Sequence, residues 1–276
     1  PRQISSSHLS ELLLIIKGVC LMSSQLSQPN IKIAIFSDPH LSQEKKHHLK
    51  QWEMALDKAK DLQPDVYLVA GDLSEKGSQE ESLIFKQSIE SLGKPCLFVP
   101  GNHDIGNKRL TDANGEISSA SVDLYRKNFG ADFFSKTIAG YHFICLNSQL
   151  FGSGLLAEKE QEFFLKTELH KDTPKLLLMH TPLYMNEIEE PGGGYWNVEP
   201  EYRREILSLL NEKNILAVIS GHLHRLIVNY ADNLFISAPP LSFGLPEFNT
   251  GLSFLCLDIS NNHVNLVQHQ VSSLFN

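Results

Sequence analysis

Short apolar runs alternate along the chain with longer stretches in which apolar positions recur every three or four residues. Ile31-Lys32-Ile33-Ala34-Ile35-Phe36 is β-branched, mostly apolar and bounded by polar residues, the pattern of a buried strand. Between Gln43 and Leu62, the residues Leu49, Trp52, Leu56 and Ala59 recur at helical spacing with charges between them, which predicts an amphipathic helix. Val66 to Ala70 predicts a second strand, residues 79–92 a helix with Leu83, Ile84 and Ile89 inward, and Cys96 to Val99 a third strand. Tyr141 to Leu146, Lys175 to Met179 and Ile215 to Ile219 continue the series as strands, with helices over 157–169 and 199–214 between them. After Ile219 the helical spacing stops. Ile227-Val228, Leu234 to Ile236, Leu252 to Ile259 and Val264 to His269 read as antiparallel strands, with Asn261-Asn262 as a hairpin turn.

Two stretches break the alternation. Residues 105–130 are polar and dotted with glycine, and residues 185–198 carry Gly192-Gly193-Gly194 beside Tyr195 and Trp196. Long irregular segments inside a compact domain are usually functional. The two aromatics read equally as a rim over a site or as packing against the core. Strand–helix alternation followed by a strand-rich end predicts an α/β layered fold. No repeat, low-complexity segment or linker divides it, so residues 31–272 read as one domain preceded by an extension over 1–30.

Composition narrows the function. With 42% hydrophobic and 20% charged residues the chain is of soluble, globular type. A net charge of -8 argues against a nucleic-acid polymer or a membrane surface as partner, since both call for a basic face. The four cysteines show no close pairing, and Cys96, Cys145 and Cys256 sit within apolar runs as buried reduced thiols do, so a cytoplasmic setting is the default. Leu12 to Leu21 is apolar, interrupted by Lys17 and too short to span a bilayer. It reads as a short helix, as a weak export signal, or as sequence upstream of a start at Met22.

Candidate chemistry lies where the strands stop. Five of them end in Ser37-Asp38-Pro39-His40, Gly71-Asp72, Gly101-Asn102-His103-Asp104, His180 and Gly221-His222-Leu223-His224. Each alone is an ordinary turn composition. Together they place carboxylates, imidazoles and one amide at the carboxyl ends of strands, where open α/β sheets build sites. The donors are nitrogen and oxygen only, a set suited to Mn, Fe, Co, Ni or Zn and larger than one tetrahedral ion needs. Residues 38 and 40, or 222 and 224, would point to one side of an extended segment and share an ion. Arg109, Arg126 and Arg225 are further candidates for contact with substrate phosphate.

In order and content, these five blocks resemble the calcineurin-like metallophosphoesterases from Asp38 to His224. The resemblance implies a four-layer α/β/β/α sandwich of two mixed β-sheets flanked by helices. It also implies a dinuclear centre of two divalent or transition-metal ions (Mn, Fe or Zn). Asp38, His40 and His224 would hold the first ion, Asn102, His180 and His222 the second, and Asp72 would bridge. His103 would reach the phosphate or leaving group, with Asp104 orienting its ring, and Gly101 would let the backbone turn tightly. A metal-bound hydroxide would attack phosphorus, so no phosphoenzyme is required. Ile105-Gly106-Asn107, Leu146-Asn147-Ser148-Gln149 and Tyr195-Trp196-Asn197 are similar to the branch assigned protein serine/threonine phosphatase activity. The cyclic-nucleotide phosphodiesterase branch shares the core, and Gly154-Leu155 is compatible with it. The implied substrate is accordingly a phosphomonoester, a phosphoprotein or a cyclic nucleotide, and an inactive scaffold of the same fold is the contrasting reading.

Overall fold

The structure, a computed structural model, describes residues 29–108, 115–211, 213–231, 233–245, 251–260 and 263–272. Arg109, the Asn261-Asn262 turn and most of the 1–30 extension lie outside the described residues.

Eleven strands form two mixed sheets among the described residues. The first sheet is assembled from β1 (Ile31–Phe36), β2 (Val66–Val69), β3 (Cys96–Phe98), β10 (Leu252–Ser260) and β11 (His263–Ser272), in the order β11-β10-β1-β2-β3. The second contains β4 (Phe134–Ile138), β5 (Tyr141–Cys145), β6 (Lys175–Leu178), β7 (Ile215–Ser220), β8 (Ile227–Ala231) and β9 (Asn233–Ser237), in the order β4-β5-β6-β7-β9-β8. Within each sheet the central strands run parallel: β1 with β2 and β2 with β3, then β5, β6, β7 and β9 in succession. Their carboxyl ends therefore deliver the five blocks to sheet edges. Antiparallel strands complete the margins, β10 against β1 and β4 against β5.

The layers follow from which residues are apolar on which face. Ile31, Ile33, Ile35, Val66 and Leu68 of the first sheet pack against Tyr141, Phe143, Leu176, Leu178 and Ile236 of the second, all buried. The outer face of the first sheet, with Ala34, Phe36, Tyr67 and Val69, is covered by Trp52 and Leu56 of α1 (Lys46–Asp61), Phe85 of α2 (Gln79–Glu90) and Val122 and Tyr125 of α4 (Ser119–Asn128). The outer face of the second, with Ile144, Leu177 and Val218, meets Leu165 and Leu169 of α5 (Leu156–Leu169) and Ile206 and Leu210 of α6 (Pro200–Leu210). The result is the α/β/β/α sandwich expected.

Several elements depart from the pattern-based expectation. Residues 105–130 contain α4, capped by a reciprocal Ser118–Ser121 box, after the single turn α3 (Asn102–Ile105). β4 is also additional; its Phe134-Ser135-Lys136-Thr137-Ile138 alternates on an edge and is too polar to stand out. β9 runs parallel to β7 rather than closing an antiparallel set. In α2, Ser82 and Phe85 turn inward, whereas Leu83 is exposed, because the Ser78–Glu81 capping box sets the start of the helix and hence its rotation. Among the described residues no helix is long and apolar enough to cross a membrane.

Leu68 sits in the middle of β2 between both neighbours and is fully buried. Leu68→Ala should cost about 2–5 kcal/mol, read as a lower urea midpoint, while Leu83→Ala should stay within about 0.5 kcal/mol.

Candidate metal centre

Three strands of the parallel sets, β1, β2 and β7, end in turns that reverse backbone handedness. Asp38 (φ 52°), His40 (44°), Asp72 (49°), His222 (70°) and His224 (49°) all lie in the left-handed region. Asp and His enter that region more readily than most residues, yet such a position costs about 1–3 kcal/mol and persists only where its surroundings impose it. The pairs 38/40 and 222/224 are thus on tight left-handed turns, not on extended segments. The consequence is visible at 222 and 224, whose rings go to different places.

Two buried groups result. Asp38, His40 and His224 bring one donor atom each within 4.8 Å of one another, and so do Asp72, His180 and His222. Asp72 lies between the groups: its Oδ2 is 3.3 Å from His180 Nε2 and 3.5 Å from His40 Nε2. Asn102 joins the second group, with its Oδ1 3.1 Å from His180 Nε2. All seven residues proposed as ligands therefore converge on one buried region.

Hydrogen bonds decide which ring nitrogen faces inward. His180 Nδ1 donates to the Ala70 carbonyl (2.7 Å), His222 Nε2 to the Tyr195 carbonyl (2.8 Å) and His224 Nδ1 to the Phe243 carbonyl (2.8 Å). The inner nitrogens then present lone pairs to the centre. His180 Nε2 and His222 Nδ1 face each other at 3.2 Å, an arrangement that is repulsive unless a proton or cation lies between them. Protonation relieves it in a lopsided way. Burial opposes charge on His180, but Asp72 and Asp38 hold its pKa up, at about 9. Burial and that charged neighbour push His222 down to about 3. Burial likewise works against ionised Asp38, but His224 brings it to about 2.

The first group makes the same demand. Among the described residues, Asp38 Oδ1 and both ring nitrogens of His40 are buried without a well-formed hydrogen bond, facing instead His224 Nε2 at 3.3 Å and the carboxylates of Asp72 and Glu75 at 3.5 Å each. Orphaned buried donors and acceptors of this kind are costly. Nitrogen and carboxylate oxygen atoms in two adjoining clusters fit two borderline divalent cations.

The third block is built differently from expectation. The Asp104 carboxylate accepts from the backbone nitrogens of Gly101 (2.8 Å), Leu73 (3.0 Å) and Ser74 (2.9 Å) and from Ser74 Oγ (2.7 Å). Burial and neighbouring Asp72 raise its pKa to about 6 against the pull of those donors. Its task is to clamp the β3 turn onto the β2 turn, and it makes no bond to the His103 ring. That ring is oriented by the Glu75 carbonyl, 3.0 Å from Nδ1, while the His103 backbone nitrogen donates to Asp72 Oδ1 at 2.9 Å. Gly101, at φ -103°, needs no glycine-specific torsion; a Cβ there would overlap Asp72 Oδ1 and the Asp72 backbone nitrogen. His103, Asn102, Tyr195, Lys76 and Leu124 line a cleft of about 600 Å³.

The calcineurin-like phosphoesterase profile matches residues 31–226. The chain belongs to that family. Among curated relatives, the serine/threonine-protein phosphatase CPPED1 of Mus musculus is 28% identical over 177 residues, covering 59% of this chain and 54% of that protein. The chain thus spans about half the length of that relative. A probable cyclic nucleotide phosphodiesterase of Synechococcus sp. is 27% identical over 207 residues, 72% of this chain and 74% of its own length. Among solved structures, the purple acid phosphatase PPD1 from yellow lupin seeds superposes with a TM-score of 0.61 at 15% identity, covering 88% of this chain and 52% of that one, a likeness of fold.

Several contributors to the centre escape a reading of motifs. Ala70, Glu75, Tyr195 and Phe243 act through backbone carbonyls, which carry no side-chain signature. An aromatic residue in the Pro-rich stretch around Phe243 is the nearest signal; its ring lies 4.3 Å from that of His224 and 5.3 Å from that of His40. Arg126 is taken up by Asp132 at 2.7 Å, and Arg225 also has interaction partners.

Gly101→Ala should destabilise the fold by about 1–3 kcal/mol and weaken divalent-cation binding, because the clash falls on Asp72. Thermal denaturation and calorimetric titration of Mn²⁺ would report the two effects.

Proposed function

We propose that the chain is a divalent-metal-dependent phosphoester hydrolase acting on phosphomonoesters or phosphoprotein. The observation that carries this reading is the pair of buried donor groups with inward lone pairs, adjoining a cleft that His103 lines. Asp38, His40 and His224 would hold one ion; Asn102, His180 and His222 would hold the other, with Asp72 shared. Bound there, two cations polarise the phosphoryl group and lower the pKa of water towards neutrality, which is the chemistry that ester hydrolysis needs.

The protein's own groups do the rest. His103 keeps Nδ1 on the Glu75 carbonyl, which leaves Nε2 as the atom that can hold and move a proton. In the imidazolium form Nε2 gives its proton to the departing ester oxygen, whose charge grows as the P–O bond breaks, and the ring is left neutral with Nδ1–H still on the Glu75 carbonyl. Asp104 acts at one remove, fixing the turn from which His103 projects. Lys76 also lines the cleft, beside Glu75 and Glu116, with its ammonium 3.6 Å from Glu44 Oε2.

A second reading, hydrolysis of a cyclic nucleotide or another diester, is favoured by one observation: the match to the probable cyclic nucleotide phosphodiesterase extends over most of both chains. The same centre serves either ester.

Turnover of p-nitrophenyl phosphate and bis-p-nitrophenyl phosphate with Mn²⁺, and its loss on chelation, tests the proposal; the ratio of the two rates separates monoesterase from diesterase. Absence of metal-dependent hydrolysis of both would refute it. His103→Ala should lower kcat by about 10²–10⁴-fold while elemental analysis finds the metal content unchanged.

A further inference from the structure

The segment 185–198 is not a loose connection. Glu190 gathers the backbone nitrogens of Met185 (2.6 Å), Asn186 (2.9 Å) and Glu187 (3.3 Å), and it also accepts from Asn197 Nδ2 (2.6 Å). Arg203, fully buried on α6, donates to the carbonyls of Ile188 (2.7 Å), Glu190 (2.7 Å) and Val198 (3.0 Å). These bonds fix the backbone on both sides of Tyr195.

Tyr195 touches the second donor group three times. Its carbonyl accepts from His222 Nε2, and its ring lies 4.5 Å from the His222 ring, centroid to centroid. Its hydroxyl accepts from Asn102 Nδ2 at 3.2 Å. A phenol has one proton to give as well as lone pairs to offer. With a lone pair committed to Asn102, the proton finds no acceptor among the described residues, and the residue lines the cleft that His103 and Asn102 also line.

We propose that the Tyr195 hydroxyl donates a hydrogen bond to a non-bridging phosphoryl oxygen of the substrate in the cleft it shares with His103. The assignment rests on the reading of the chain as a phosphoester hydrolase. Asn102 does double duty: its Oδ1 faces the donor group while its Nδ2 sets the direction of the phenol. A neutral donor held in advance on a braced segment stabilises charge on the phosphoryl oxygens without reorganising. Tyr195 is then a substrate-contacting residue, and its backbone carbonyl separately positions His222.

Tyr195→Phe divides the two roles, because it keeps the ring and the carbonyl and removes only the hydroxyl. The Mn²⁺-loaded protein and its variant would be titrated calorimetrically with inorganic phosphate, assayed with p-nitrophenyl phosphate and analysed for bound Mn²⁺. The expected result is phosphate affinity and kcat/KM both lowered about tenfold to a hundredfold, with Mn²⁺ content and melting temperature unchanged. Unchanged phosphate affinity in the variant would overturn the assignment. So would loss of Mn²⁺, which would reduce the hydroxyl to a support for Asn102. If the unaltered protein neither binds phosphate nor hydrolyses the ester, the hydrolase reading itself fails; if it does both and Tyr195→Phe matches it, only the hydroxyl assignment falls.

Discussion

Three backbone carbonyls, those of Ala70, Tyr195 and Phe243, hold the outer nitrogens of His180, His222 and His224 and so commit their inner nitrogens to a common centre. An imidazole free to turn would place its proton where burial is least costly. Held in this way, a neutral ring must present a lone pair instead. The three carbonyls come from separate places, the end of β2, the segment braced by Arg203, and the stretch after β9. The donor groups are therefore only as well defined as the packing that keeps those three places in register. That packing is the apolar layer between the sheets, where Ile35, Leu68, Leu178 and Ile219 are fully or almost fully buried just behind the turns.

The arrangement is costly before any ion is considered. Five of the candidate ligands sit in left-handed backbone, two carboxylates are withdrawn from water, and facing lone pairs are brought close. Such features persist only where surrounding structure over-determines them. Here the turns are tied to one another: Asp38 N donates to the Gly71 carbonyl, His40 N to that of Asp72, and Gly221 N to that of His180. Asp104 adds a clamp between the second and third turns. Stability invested in the sandwich is drawn on to keep an electron-rich cavity that apolar side chains would fill more comfortably.

Much of this was legible in the residues. The parallel strands stand out because strands buried on both faces are continuous apolar runs, and the polar blocks that follow are conspicuous against them. What was hidden has physical reasons. β4 alternates polar and apolar residues on a sheet edge, and α4 begins with serines that suit a loop as well as a cap. Leu83 looked inward because spacing alone does not set the rotation of a helix; the Ser78–Glu81 box does. Asp104 looked like a partner of the histidine beside it, whereas neighbours along a single helical turn face apart, and its real partners lie on the β2 turn. Acceptors on the main chain cannot be read from residue type at all, which is why Glu75 and Phe243 went unremarked.

The pairing of β1 with β10 also has a temporal side. β1 carries Asp38 and His40 at its end, yet one of its two neighbours, β10, is among the last strands in chain order. During synthesis at about 5–20 residues per second, a nascent chain would hold β1 against β2 alone for about ten seconds or more. Throughout that interval one margin of a mostly apolar strand stays open to other chains. The turn that carries Asp38 and His40 therefore gains its second flanking strand only once Leu252–Ser260 has been made.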